Sequence, residues 1–201
     1  MKDLVILTPD KNTQYAITGA LGRCESLGIR RVEFELRVHA GRDGGVRKSG
    51  ADVLALERRR FRHALVLLDF EGSGTSLAGS AELESELDER LRPTWGPHAK
   101  AIVIDPEVDI WVWGADNAIE PEIGWREGRH VREWLRRNGF ELDENSKPIR
   151  PKEALEAALR FTGLPRSSAL YLRVARRISL ARCTDAAFGR LTARLREWFP
   201  A

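Results

Sequence analysis

The sequence predicts an α/β fold, with a mainly parallel sheet carrying helices on both faces and a helical C-terminal extension. Three observations predict it. Four short apolar segments, Leu4–Leu7, Arg31–His39, Ala64–Leu68 and Ala101–Ile104, have strand length and strand patterning. Segments of helical character separate them, and strand-helix alternation of this kind builds a parallel sheet. From Val131 onward the pattern is helical only. The chain therefore divides into an α/β core over residues 1–125 and a helical extension over 126–201 that packs on the core.

Leu4-Val5-Ile6-Leu7, ended by Thr8-Pro9-Asp10, reads as a buried first strand. Asn12 or Thr13 can cap a helix that runs to about Leu27 and stops at Gly28. In the second strand Val32, Phe34, Leu36 and Val38 alternate with Glu33, Glu35 and Arg37, which suits a half-exposed strand near a sheet edge. Gly41-Arg42-Asp43-Gly44-Gly45 reads as a loop, and Ala51–Arg62 as a helix. The third strand is apolar on both faces, and Gly72-Ser73-Gly74 breaks the chain after it. Ala81–Leu91 is a charged helix leading to the fourth strand. Later helices are expected over Val131–Asn138, Pro151–Phe161 and Ala169 to about Trp198, the last with a break near Cys183-Thr184-Asp185.

A chain of 201 residues buries roughly 70% of its unfolded surface and needs no staples. Cys24 and Cys183 lie too far apart in sequence for a metal knuckle, and a reduced, cytoplasmic setting is expected. No apolar run is long enough to span a membrane, and the first residues do not read as a signal peptide. The 33 Lys and Arg nearly balance 30 Asp and Glu, yet their distribution is uneven. Residues 101–146 carry 5 basic and 11 acidic side chains, whereas residues 147–201 carry 12 and 4. An acidic middle beside a basic end suits a site that wants cations next to a surface that tolerates anions.

Ligands of open parallel sheets bind beyond the carboxyl ends of the strands. Three strands end in acids: the first at Asp10, the third at Asp69-Phe70-Glu71, the fourth at Asp105-Pro106-Glu107-Val108-Asp109. In extended chain a spacing of two puts Asp69 with Glu71, and Glu107 with Asp109, on one side. Carboxylates gathered at one rim raise each other's pKa, and a divalent cation removes that cost. Hard oxygen ligands suit Mg2+ or Mn2+, which can activate water and neutralise a phosphoryl group. Each acid also has a structural reading, because Asp or Glu after a strand often caps the next helix.

These residues resemble the Toprim domains of topoisomerases, primases and OLD-type nucleases, in which a Glu after the first strand and an Asp-x-Asp pair after the third bind magnesium. Asp10-Lys11-Asn12-Thr13-Gln14 is similar to the Glu-Gly-x-Thr-Glu segment of small Toprim-like proteins of bacterial defence islands, with Asp, Lys and Gln substituted. Asp69-Phe70-Glu71 resembles the Asp-x-Asp pair with one acid lengthened. Glu107-Val108-Asp109-Ile110-Trp111, followed by Asp116, is similar to their Glu-x-Glu-x-Trp segment. Pro151–Leu155 and Val174–Leu195 resemble their helical tail, with Ser167-Ser168-Ala169 where lysines are usual. The whole chain also resembles an accessory component of methylation-associated defence systems.

The resemblance implies a Toprim/Rossmann-like core in which Asp10, Asp69 and Glu71 hold Mg2+ or Mn2+ and cleave a phosphodiester, with Glu107 and Asp109 as outer ligands or base. Lys11, Arg42, Lys152, Arg173, Arg176 and Arg177 are then the candidates for holding a nucleic-acid backbone, DNA first. It equally implies a non-catalytic subunit that docks on larger defence-system proteins.

Other features carry less. The two glycine stretches could cradle phosphate or simply turn the chain, and neither has P-loop spacing. The tail arginines could also form a solvated helix face. Trp111, Trp113, Trp125, Trp134 and Trp198 sit among apolar residues, as core or partner-facing aromatics do. Among the four histidines only His39, beside the glycine loop, has a catalytic reading.

Overall fold

A computed structural model of the chain describes residues 1–114 and 117–201. Four parallel strands form one sheet: β1 (Lys2–Thr8), β2 (Phe34–Val38), β3 (Phe61–Asp69) and β4 (Ala99–Ile104). Their order is β2-β1-β3-β4. Between them run α1 (Lys11–Leu21), α2 (Cys24–Leu27), α3 (Arg42–Ala55) and α4 (Ser80–Trp95). Beyond the sheet come α5 (Ile119–Glu122), α6 (Val131–Arg137), α7 (Pro151–Thr162), α8 (Ser168–Arg177) and α9 (Ala186–Trp198). The α/β class expected from the sequence is the one observed, and β2 is an edge strand as its alternation suggests.

Strand period two splits the buried side chains between two cores. Val5, Leu7, Val66, Leu68 and Val103 pack with Val46 and Leu54 of α3 and with Leu83, Leu87 and Leu91 of α4. Leu4, Ile6, Leu65, Leu67, Ile102 and Ile104 face the other way. There they share one core with α1 and with Val131, Leu155, Val174 and Leu195 of the C-terminal helices. The extension thus supplies the second covering layer of the sheet.

The closest helix contact in that layer is α1 on α8. A Cβ on Gly19 would lie 2.7 Å from Ala175 Cβ and 2.9 Å from the Leu172 carbonyl oxygen, so only glycine lets the two backbones approach. Polar ties fix the same packing. Trp111 Nε1 donates to Asp185 Oδ1 at 2.9 Å, and the same oxygen caps α9 by accepting the Phe188 N–H at 2.8 Å. Trp113 Nε1 donates to the Pro151 carbonyl at 3.1 Å, at the start of α7. At the end of the sheet where the strands begin, the His63 ring stacks on Trp198 at 4.6 Å between centroids and meets Phe199 edge-on at 5.1 Å.

Several boundaries differ from the sequence expectation. The first helix ends at Leu21, and α2 forms separately, closed by Gly28 in the left-handed region at φ 70°. Its cap is Asp10, whose Oδ1 accepts the Thr13 N–H at 2.9 Å, in place of the expected Asn12 or Thr13. The glycine stretch at 41–45 opens α3 instead of forming a loop, and a Cβ on Gly45 would collide with His39 Nδ1 at 2.4 Å. Strand β3 starts at Phe61, inside the segment expected to finish a helix. Neither acid pair sits in extended chain: Glu71 opens a 3-10 turn (Glu71–Ser73), and Asp109 lies in another (Val108–Val112).

Candidate functional site

Because all four strands are parallel, their carboxyl ends share one edge, and the connections diverge between β1 and β3. That divergence is where open α/β sheets place ligands. A cleft of about 550 Å³ opens there. Asp10, Asp69, Glu71, Glu107 and Asp109 all line it, from three different connections, together with Asp43, which the sequence reading did not select. Its cationic side are Arg42, Lys152 and Arg166.

Main-chain amides hold three of the acids. Asp10 Oδ1 is occupied by the Thr13 N–H, so one carboxylate both caps α1 and faces the cleft. Asp43 Oδ1 accepts the Asp69 N–H at 2.8 Å, and Asp69 Oδ1 accepts the Val108 N–H at 2.9 Å. A Cβ on Gly72 would sit 2.6 Å from Asp43 Oδ2, so this glycine leaves the space that the carboxylate fills. Gly72-Ser73-Gly74 is a turn that shelters Asp43, and Arg47 Nε closes it by donating to the Ser73 carbonyl at 2.9 Å.

The electrostatics follow from burial and repulsion. Asp69 is buried, and burial, then the charges of Asp43 and Asp10, push its carboxyl well above the usual range. Asp43 is raised by burial and by Asp10, with the Asp69 N–H working against the rise. Burial and neighbouring Asp109 push Glu107 up to about 7, while Lys152 opposes them. Asp69 and Asp43 each gain from any cation placed between them, and Glu107 can hold or release a proton near neutral pH.

Asp109 is differently placed. Both its oxygens accept from Arg166 Nη2, at 2.7 and 2.9 Å, and Tyr171 Oη donates to Oδ1 at 2.7 Å. Its charge is spent on an internal ion pair, and it reaches the cleft as part of that pair. Among the described residues, no group of three His, Cys, Asp or Glu side chains stands close enough to enclose a metal ion as it lies.

The sequence-selected cations divide as well. Arg42 and Lys152 line the cleft. Arg42 does so from a left-handed backbone at φ 51°, the kind of strain that collects at ligand sites. Lys11, Arg173, Arg176 and Arg177 do not line it. Arg173 Nε and Arg177 Nε are paired with the two oxygens of Glu122, at 2.6 and 2.5 Å, and tie α8 to α5. His39 is held by two hydrogen bonds, accepting the Gly41 N–H at Nδ1 and meeting Ser49 Oγ at Nε2, each at 3.0 Å. Asp116 lies outside the described residues.

No family model, curated protein or solved structure matches the chain. The site therefore rests on its own geometry. Sequence reasoning missed Asp43 because its glycine neighbours suggested a loop, although an Asp that opens a helix after a strand was a usable signal. It missed Arg166 and Tyr171 because Arg166 lies 57 residues from Asp109. No pattern in that intervening chain announces the pair.

Among the described residues, no helix is long and apolar enough to cross a membrane.

Proposed function

We propose that the cleft is a divalent-cation site acting on phosphodiesters, and that the chain is a Toprim-like nuclease of bacterial anti-phage defence. The observation that carries this reading is the trio Asp10, Asp43 and Asp69. Each spends an oxygen on a main-chain N–H and together they face one cleft at the sheet's switch point. Their oxygens suit Mg2+ or Mn2+, which would supply charge neutralisation for the phosphoryl group and an activated water. In this reading the residues nearest to hold the ion are Asp10, Asp43 and Asp69, with Glu71 at the exposed rim. Lys152 and Arg42 orient the phosphate, and Glu107 exchanges a proton near neutral pH.

A second reading, a non-catalytic subunit of a larger defence complex that keeps the fold as a scaffold, is favoured by one observation. Asp109 is neutralised by Arg166, which removes one acid from the set that the family resemblance would place on metal.

The two readings part in one experiment. The pure protein is incubated with linear, nicked and supercoiled DNA in manganese beside Asp69→Asn. Cutting by the wild type alone supports the nuclease. Equal cutting by both, or none by either, leaves the scaffold.

A further inference from the structure

The sheet has two edges, and they are finished differently. Along β4, side chains take outward main-chain groups. The Ala101 N–H donates to Asp88 Oδ1 at 2.8 Å and the Val103 N–H to Glu84 Oε2 at 3.2 Å, while the Val103 carbonyl accepts from Arg190 Nη2 at 3.1 Å. The β2 edge is open. Its ladder to β1 uses alternate residues: the Glu33 carbonyl accepts the Leu4 N–H, and the His39 N–H donates to the Thr8 carbonyl. The N–H and C=O of Phe34, Leu36 and Val38 therefore point away from the sheet. Among the described residues these groups have one partner within the chain, Arg37 Nη1, which donates to the Leu36 carbonyl at 3.2 Å. Such a row is a template for another strand.

We propose that the strand it takes is β2 of a second copy, laid antiparallel about a two-fold axis at Leu36, so that two four-stranded sheets join into one. The inference does not depend on what the cleft does. Charge selects the occupant. Reversing Phe34-Glu35-Leu36-Arg37-Val38 about Leu36 sets Glu35 against Arg37 of the second copy, twice over. These pairs fall at the non-hydrogen-bonded positions, where facing side chains lie closest and opposite charges attract. Leu36 meets Leu36 and Phe34 meets Val38 at the hydrogen-bonded positions, so every outward N–H and C=O finds a partner. Val38, 44% exposed, gains cover from the ring of Phe34, which with Val32 and Leu21 borders an open groove.

The other pairings fail. A parallel pairing in register sets Glu35 beside Glu35 and Arg37 beside Arg37. Adding β2 to the β4 edge of a neighbour needs groups that Asp88, Glu84 and Arg190 already hold, so the contact closes as a dimer and no filament grows. The two β2 strands run in opposite directions, so the two clefts open at opposite ends of the joined sheet.

Sedimentation velocity over a dilution series tests the dimer, with circular dichroism to check that each variant is folded. The wild type should pass from dimer to monomer on dilution. Val38→Pro removes an outward N–H and keeps the β1 ladder, since proline is tolerated where an edge strand faces solvent, and it should shift the equilibrium to monomer. Arg37→Glu alone and Glu35→Arg alone turn two attractive pairs into two repelling ones and should each associate about fourfold or more weakly than the wild type. Mixed together, these two variants restore both Glu–Arg pairs and should form a heterodimer. Phe161→Ala, at an exposed ring on α7, should associate as the wild type does. Amide exchange locates the contact: the N–H groups of Phe34, Leu36 and Val38 should be protected in the dimer and open on dilution, while those of Glu35 and Arg37 stay protected. A wild type that is monomeric at every concentration would overturn the proposal and leave the edge to a strand of another protein. So would a Val38→Pro dimer as tight as the wild type, a mixture that stays monomeric, a dimer that Phe161→Ala dissolves, or amides at 34, 36 and 38 that exchange equally fast in both states.

Discussion

The main-chain N–H of Asp69 donates to the carboxylate of Asp43 at 2.8 Å, so the amide at the tip of β3 holds an acid from the first turn of α3. The buried Asp69 and the half-buried Asp43, both with raised pKa values, are thereby fixed side by side, and the loop after β2 is tied to the rim of β3. Asp43→Ala removes the acceptor of that amide and one of the repelling charges together. Manganese should then raise the melting temperature less than it does for the wild type, while the variant in EDTA stays within a few degrees of the wild type. Differential scanning fluorimetry with and without manganese measures both. An undiminished manganese shift would remove Asp43 from the ion site.

Breaking the internal ion pair should cost far more than breaking its hydroxyl bridge. Arg166→Ala leaves the carboxylate of Asp109, whose side chain is 3% exposed, without its cation, and should destabilise by ~3–5 kcal/mol. Tyr171→Phe removes one hydrogen bond and should cost ~1–3 kcal/mol. Urea unfolding of the two variants gives the order directly; equal losses would mean that Arg166 does not carry the pair.

Gly19→Ala presses a methyl group into Ala175 and the Leu172 carbonyl. The backbone cannot yield as a flexible side chain would, so the substitution should lose ~1–3 kcal/mol despite the higher helix propensity of alanine. A neutral or stabilising result in thermal unfolding would mean that α1 and α8 lie farther apart.

The pH dependence should combine two opposite slopes. Glu107 titrates near 7 in the folded chain against an ordinary 4.5, so the folded state binds the extra proton between those values. Its stabilising contribution is complete below about 4.5 and is lost as pH rises through 7. Burial, then the neighbouring His98, lower His63 from 6.5 to about 4. Its contribution is complete above 6.5 and is lost as pH falls through 4. Melting curves in EDTA should show Glu107→Gln flattening the loss on the alkaline side and His63→Phe flattening the loss on the acid side. If either variant keeps the wild-type slope, the corresponding shift is absent.

Legibility in the sequence followed locality. Three apolar runs named β1, β3 and β4 because burial on both faces leaves no room for polar residues there, alternation named the half-exposed β2, and the strand-end acids named most of the cleft. Asp10 satisfied two readings at once, since a capping carboxylate has a second oxygen to offer. The glycines at 41–45 misled because glycine marks turns more often than helix starts, yet here Gly45 makes room for the His39 ring. The tail arginines looked free on a helix wheel, but Glu122, from a four-residue helix with no periodic signal, claims Arg173 and Arg177. Partners chosen across long stretches of chain, as Arg166 chooses Asp109, leave no trace in spacing.

The C-terminal helices share with α1 the covering of one side of the sheet, and the same part of the chain brings Arg166 and Lys152 to the cleft. The cleft is consequently not portable. A gene fragment that stopped after the fourth strand would keep only α1 and α2 on the face of Leu4, Ile6, Leu65, Leu67, Ile102 and Ile104 and leave much of it open to water, prone to clump before any chemistry could be assayed. Engineers who wish to graft this rim of acids elsewhere must carry the tail with it.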